Sequence, residues 1–187
     1  MFIQTEATPN PATLKFLPGR SVLATGTLDM RDKSEAAQSP LAERLFGVPG
    51  VSGVFFGSDF IAVTKADGEW QQLKPAILGL IMEHFMSGAA IVNSADAAPS
   101  TESDEFFEAK DSETVATIKE LIEARVRPAV ANDGGDITFR GFKDGVVYLD
   151  MKGACSGCPS STATLRHGIQ NLLRHYLPDV VEVRPMG

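Results

Sequence analysis

Cysteine is nearly missing from this chain: Cys155 and Cys158 are the only two in 187 residues. No second pair of thiols exists to complete a four-ligand zinc site within one chain. Also missing is any apolar run approaching the ~20 residues of a membrane span, so no membrane partner is expected. The opening residues Met1-Phe2-Ile3-Gln4-Thr5-Glu6 lack the basic segment and apolar core of a secretory signal. They also lack the Arg-rich amphipathic character of an organelle transit peptide. A reducing compartment is therefore expected, where a CxxC pair is read as metal-binding or catalytic rather than as a structural disulfide. A basic excess is absent too: 17 Lys and Arg stand against 24 Asp and Glu, for a net charge of −7. With no basic face, nucleic acid is not an expected partner.

The acidity that is present is concentrated. Residues 96–113 hold seven acidic side chains and one lysine. The flanking parts are close to neutral, with seven basic and nine acidic side chains in residues 1–93 and nine basic and eight acidic in residues 114–187. The run from Asn93 to Glu105 is small, polar and acidic, contains Pro99, and has almost nothing to bury. It reads as a solvated spacer. The expected organisation is an N-terminal domain over residues 1–92, a flexible acidic linker over 93–111 and a C-terminal domain over 112–187. Phe106-Phe107 is expected to cap the core of the second domain rather than to act as a docking motif.

Both halves read as α+β. In the first, strands are expected at residues 2–6 and 12–17 around Pro9-Asn10-Pro11, with a further extended piece at 22–28. Ser39-Pro40 is a helix start, serine as the cap and proline at the first position, and that helix runs to Phe46. Gly57-Ser58-Asp59 joins two strands as a hairpin. Trp70, Leu73, Ile77, Leu80, Ile81 and Phe85 recur at helical spacing, with Met82 and Met86 expected as core fillers. In the second half, Val115, Ile118, Ile122, Val126 and Val130 mark an amphipathic helix from Ser112, and Pro128 predicts a kink near its end. The turn Asn132-Asp133-Gly134-Gly135-Asp136 leads into strands at 137–142 and 146–151, joined at Lys143-Asp144-Gly145. A helix follows over 160–176, and a last strand over 180–183. The order α-β-β-α-β predicts a mixed sheet with both helices on one face.

The chemistry is concentrated in Lys152-Gly153-Ala154-Cys155-Ser156-Gly157-Cys158-Pro159-Ser160-Ser161. The segment leaves a strand and enters a helix, whose free first-turn N–H groups and dipole favour negative charge, hence thiolate. Gly153 and Gly157 let backbone approach a bulky inorganic core. No His, Asp or Glu lies within the loop, and His167 and His175 are read as surface or edge residues of the helix. Two thiolates are half of a tetrahedral site or of an iron–sulfur cluster, and a second copy of the chain supplies the other half. A lone CxxC is also shared with thiol–disulfide oxidoreductases and with zinc-bridged dimers. Against the first stands Ala154, where such enzymes usually carry an aromatic residue before the first cysteine.

Taken with Asp133-Gly134-Gly135-Asp136 and the two strands after it, the cysteine segment resembles the NifU C-terminal-like domain of the Nfu family over residues 112–187. The N-terminal half is similar to the Nfu N-terminal domain through Gln4-Thr5-Glu6-Ala7-Thr8-Pro9-Asn10-Pro11 and Val54-Phe55-Phe56-Gly57. The resemblance implies a non-enzymatic iron–sulfur cluster scaffold or carrier. It would hold a [4Fe–4S] cluster, or a [2Fe–2S] cluster, between two protomers through Cys155 and Cys158. It would deliver that cluster to apo-proteins alongside other cluster-assembly proteins, with the N-terminal domain as a targeting or client-docking module. The absence of a transit segment points to a bacterial cytoplasm, with a mitochondrial matrix ranked second.

Overall fold

The computed structural model describes residues 2–93, 105–153 and 159–186. The chain divides into two compact units, Met1–Ser100 and Thr101–Gly187, each with its own hydrophobic core. Both mix helices with a sheet, so the fold is α+β.

The first unit holds strands β1 (Gln4–Ala7), β2 (Thr13–Leu17), β3 (Leu28–Met30), β4 (Val51–Phe56) and β5 (Ile61–Lys65), with helices α1 (Pro40–Phe46) and α2 (Trp70–Ser87). The sheet order is β1-β2-β5-β4-β3, antiparallel throughout. Alternate strand residues Phe16, Val54, Phe56, Ile61 and Val63 share one core with Leu41 and Leu45 of α1 and Ile77 and Ile81 of α2. Each such buried side chain contributes roughly 1.5–3 kcal/mol. The prolines between β1 and β2 cannot donate hydrogen bonds, and side chains close that turn instead. The Thr8 hydroxyl donates to the Asn10 and Thr13 carbonyls at 2.8 and 3.0 Å, and Asn10 Oδ1 accepts the Ala12 N–H at 3.0 Å. The Trp70 indole then donates to the Pro11 carbonyl at 3.1 Å, tying α2 to the turn. Ser39 caps α1 as its sequence predicts, its Oγ accepting the Ala42 N–H at 3.1 Å.

Two expectations for this unit are corrected. Residues 22–27 are not a strand: the N–H groups of Val22 and Leu23 donate to the Ser58 carbonyl at 2.7 and 3.3 Å. The ladder to β4 begins only at Leu28. Met82 packs against the core, but Met86 is 76% exposed. At 3.6 residues per turn it lies on the opposite side of α2 from Ile77.

His84 of α2 is fully buried. Its Nε2–H donates to the Ala90 carbonyl at 3.0 Å, while Nδ1 has no partner among the described residues. Burial, helped by the charge of Arg44, pushes its pKa below the usual histidine value, and the Ala90 contact opposes this. The unfolded chain, titrating near ~6.5, therefore takes up the proton first as the pH falls. The first unit is expected to be stable above that value and to lose stability as the pH drops through it toward the lower folded pKa. Melting followed by fluorescence of Trp70, the sole tryptophan, should show a falling transition temperature between pH 7.5 and 5.5. His84→Leu should flatten that slope, and an unchanged slope would remove His84 as its source.

The second unit runs α3 (Ser112–Leu121), a π turn (Ile122–Val126), α4 (Arg127–Asn132), β6 (Gly135–Lys143), β7 (Val146–Gly153), α5 (Pro159–Tyr176) and β8 (Glu182–Met186). The sheet order is β6-β7-β8. The β6–β7 pair is antiparallel and β7–β8 parallel, as α5 makes the crossover that a parallel pair requires. Asp144 and Gly145, at φ 52° and 80°, supply the two left-handed residues of a tight hairpin. Ile137, Phe139, Val147, Leu149 and Met151 share one core with Val115, Ile118, Ile169 and Leu173. The helices on both sides of the hairpin thus cover one face of the sheet.

The single helix expected before the hairpin runs from α3 to α4 without a break, and its expected irregularity near Pro128 is a π turn. Pro128 has no N–H to donate, and the Arg127 N–H reaches back to the Ile122 carbonyl. The last strand starts at Glu182 rather than at 180, because Val180 closes a turn onto the Leu177 carbonyl at 3.1 Å. Phe106 lies along β6: its N–H donates to the Arg140 carbonyl at 3.1 Å and its carbonyl accepts the Phe142 N–H at 2.8 Å. Its ring rests on Tyr148 at 5.2 Å.

Candidate functional site

Cys155 and Cys158 both lie in residues 154–158, outside the described residues. What the fold defines is how that segment is tethered. It leaves β7, the central strand of the sheet, at Gly153, whose φ of 67° is the left-handed conformation that favours glycine. It enters α5 at Pro159, a residue suited to a first helical turn because its missing N–H would have no intrahelical acceptor there. Ile169 and Leu173 bury α5 in the core, with Leu165 and Leu172 packed beside them. Gln170 Oε1 accepts the Val183 N–H at 3.3 Å, fastening the helix to β8. Both ends of the cysteine segment are therefore fixed by packing. The α5 terminus gives the segment's far end free N–H groups and the positive end of a helix dipole. Its first turn holds no acidic residue, so that end of the helix favours nearby negative charge.

The other strand at this end carries a feature that sequence reading missed. Gly135 pairs with Gly153 and Asp136 with Lys152 at the last rungs of the β6–β7 ladder. Asp136 is buried, 3% exposed, and Arg127 grips both of its carboxylate oxygens, Nε to Oδ1 and Nη2 to Oδ2, each at 2.9 Å. Glu123 adds a third contact to the same guanidinium at 2.5 Å. The hydrogen bonds to Asp136 push the Arg127 pKa further up, so the guanidinium stays charged. The Asp133-Gly134-Gly135-Asp136 turn stood out in the sequence, but Arg127 did not. The available signal was the Glu123/Arg127 spacing of one helical turn.

His167 and His175 are exposed on α5, as expected, and the His175 ring meets Tyr176 edge-on at 5.1 Å. Among the described residues no three His, Cys, Asp or Glu side chains come together in a metal-binding group, and no helix is long and apolar enough to cross a membrane.

Comparison with known proteins places this geometry in a family. Residues 3–88 match the family described as scaffold protein Nfu/NifU N terminal, and residues 118–184 match the NifU-like domain. The chain is 52% identical over 185 residues to the NFU1 iron-sulfur cluster scaffold homolog, mitochondrial, of Drosophila sechellia, covering 98% of this chain and 64% of that protein. It is 50% identical over 182 residues to the human protein of the same name, covering 96% of this chain and 70% of that one. It is 49% identical to NifU-like protein 4, mitochondrial, of Arabidopsis thaliana over 183 residues, covering 96% and 64% of the two chains. A solved NifU-like protein from Saccharomyces cerevisiae matches at 27% identity with a TM-score of 0.46, over 50% of this chain and 86% of that one.

These relatives overturn the expectation of a bacterial cytoplasm, since all three curated proteins are named mitochondrial. That expectation rested on the first residues of a chain that spans 64% of the Drosophila relative, and such a chain gives no ground for judging a leader. With matches to both domain families and about half of its residues shared along nearly its whole length, the chain belongs to the Nfu family of iron–sulfur cluster scaffold proteins.

Proposed function

We propose that two copies of this chain hold one [4Fe–4S] cluster through Cys155 and Cys158 of each, and that the cluster is cargo, handed on to apo-proteins. The observation that carries this reading is the confinement of the chain's only two cysteines to residues 154–158, between the end of β7 and the start of α5. A strand end and a helix start, both anchored in one core, bound the short segment that carries the two thiols. Two ligands per chain leave a cluster half-coordinated until a second chain supplies the rest. Cargo held by so few bonds from each protomer can be surrendered when the protomers part, or when an acceptor's thiolates replace one pair. No proton transfer or covalent turnover is needed, so the role is that of a carrier rather than an enzyme.

In this reading residues 112–187 form the cluster-binding domain and residues 1–92 a client-docking domain, and the acidic linker expected over 93–111 is shortened at both ends, because Asn93 bonds to Gln38 in the first unit and Glu105 and Phe106 bond to Lys119 and β6 in the second. The partners are a second copy of the chain, apo iron–sulfur proteins, and the assembly proteins that load the cluster.

The test is anaerobic reconstitution with iron and sulfide, followed by absorption spectroscopy, metal and sulfide analysis, and sedimentation. The expected result is a broad visible charge-transfer band, about four iron and four sulfide for every two chains, and a dimer that forms as the cluster binds. An intact four-iron cluster sedimenting with a single chain would refute the shared site. Colourless protein carrying zinc would mean a zinc-bridged dimer, and a reducible disulfide with disulfide-reductase activity would mean an oxidoreductase.

A further inference from the structure

The sheet of the first unit has two edges, and they are not alike. β3 is three residues long, and Asp29 within it pairs with Arg31 at 2.8 Å. A short, charged edge resists pairing with another chain. β1, at the other edge, is mostly exposed, pairs with β2 rung for rung without a bulge, and contains no proline or lysine. Its single charged residue, Glu6, is paired to Lys15 of β2 at 3.6 Å. Among the described residues no backbone hydrogen bond is made on its outer side. Such an edge is a template for an added strand.

The N-terminal end of β1 opens on a recess. Ile3 and Phe16 belong to the core, so alternation puts Phe2, Gln4 and Leu17 on the opposite face. With Arg20, Ser21 and Asp59 they line a space of about 560 Å³, in the range of small-ligand sites. The Phe2 side of it is open, at 79% exposure. The Arg20 loop is fastened to the β4–β5 turn: the Ser21 hydroxyl donates to the Leu23 carbonyl at 3.2 Å, and the Val22 N–H donates to the Ser58 carbonyl at 2.7 Å. Arg20 is in no ion pair among the described residues. Its guanidinium rests on the Phe85 ring, 5.5 Å from the centroid. The ring takes one face of the guanidinium, and the N–H groups in its plane remain able to grip a carboxylate.

Strand polarity selects which carboxylate. Every pair in this sheet is antiparallel. A chain added antiparallel to β1 finishes at the N-terminal end of β1, where its α-carboxylate meets Arg20. A chain added in parallel would bring its ammonium group to the same guanidinium, and like charges repel. Phe2 and Leu17 suit an apolar last side chain. Asp59, on the same wall, works against any further negative charge and so selects against an acidic side chain there.

We propose that β1 and this recess form a docking site for the extended C-terminal tail of a partner protein: the tail adds an antiparallel strand to β1, sets an apolar last side chain against Phe2 and Leu17, and gives its α-carboxylate to Arg20. The inference deepens the client-docking reading of residues 1–92, on which its purpose rests.

The experiment screens the full chain against random hexapeptides displayed with free C-termini. The expected enrichment is an apolar last residue with Asp and Glu depleted beside it. The most enriched peptide is then made as the free acid, as the C-terminal amide, and in two forms N-methylated at alternate backbone positions, and affinities are measured by fluorescence anisotropy. Loss of a charge-assisted hydrogen bond should weaken binding about 10–100-fold, both for the amide on the wild type and for the acid on Arg20→Gln. The amide should bind Arg20→Gln as it binds the wild type, because the same contact is removed from either side. Arg20 is exposed, so the variant should melt with the wild type. One N-methylated form should lose binding and the other keep it, since only alternate N–H groups of an added strand face β1.

An amide that binds the wild type as well as the acid does overturns the proposal, as does equal binding by the two N-methylated forms. A library that yields no binder also sinks the tail site, but leaves every other surface of residues 1–92 open to a client. A selected peptide that binds through Arg20, yet in excess slows cluster transfer to no acceptor, sinks the client-docking reading and leaves the tail site standing.

Discussion

Replacing either cysteine by alanine, Cys155→Ala or Cys158→Ala, is expected to abolish stable cluster binding altogether. Each substitution removes one ligand per chain, and therefore two of the four thiolates around a shared cluster. The remaining two ligands leave iron open to solvent and chelators, so the loss should be complete rather than graded. Reconstituted variants should be colourless after desalting, with iron and sulfide at background. The fold should survive, because the core of the second unit is assembled from helix and strand side chains such as Ile118, Ile137, Leu149 and Leu173. Circular dichroism and melting of the apo-variants should therefore overlay the wild type. A full cluster retained by either variant would place the ligands elsewhere.

The second large effect concerns the two units. Each has a core of its own, and residues 93–105 carry little apolar surface to offset an ordering entropy of roughly 1–2 kcal/mol per residue. A fragment of residues 101–187 is expected to fold, to dimerise around a cluster, and to donate it to a permissive acceptor at close to the full chain's rate. This fragment keeps Glu105, which pairs with Lys119 at 2.9 Å, and Phe106, which lies along β6. It should serve more slowly any client that docks on the N-terminal unit. A fragment of residues 1–93 should fold, bind no iron, and bind that client. Equal transfer rates from the C-terminal fragment and the full chain to every client tested would remove the docking role from the first unit.

Local chemistry makes much of this protein legible in its amino-acid order. Ser39-Pro40 marks a helix start because a hydroxyl can accept a first-turn N–H and proline has no N–H to satisfy, and α1 begins at Pro40. Asp144-Gly145 marks a hairpin because both positions need positive φ, which the structure gives them. The apolar stripes of α3 and α5 and the alternation along β7 mark which faces are buried. The cysteine segment is likewise marked along the chain, and the elements that bound it, β7 and α5, end and start at Gly153 and Pro159. The expectation of a bacterial cytoplasm did not hold against the names of the relatives, because the first residues of a chain that spans 64% of its Drosophila relative are no guide to location.

By itself, then, the sequence determined the α+β class and the caps and turns, because these depend on residues within a turn or two of each other. Tertiary structure alone decided features that depend on competition between distant groups. Val22 and Leu23 left the sheet because the Ser58 carbonyl accepts their N–H groups. His84 became a buried histidine because α2 presents it to the interior and Ala90 returns to meet it. Arg127 became the partner of Asp136 because a π turn, set by the proline that follows, turned it toward the start of β6. No periodicity encodes that rotation: it comes from a backbone N–H that proline lacks and a buried carboxylate that water cannot reach.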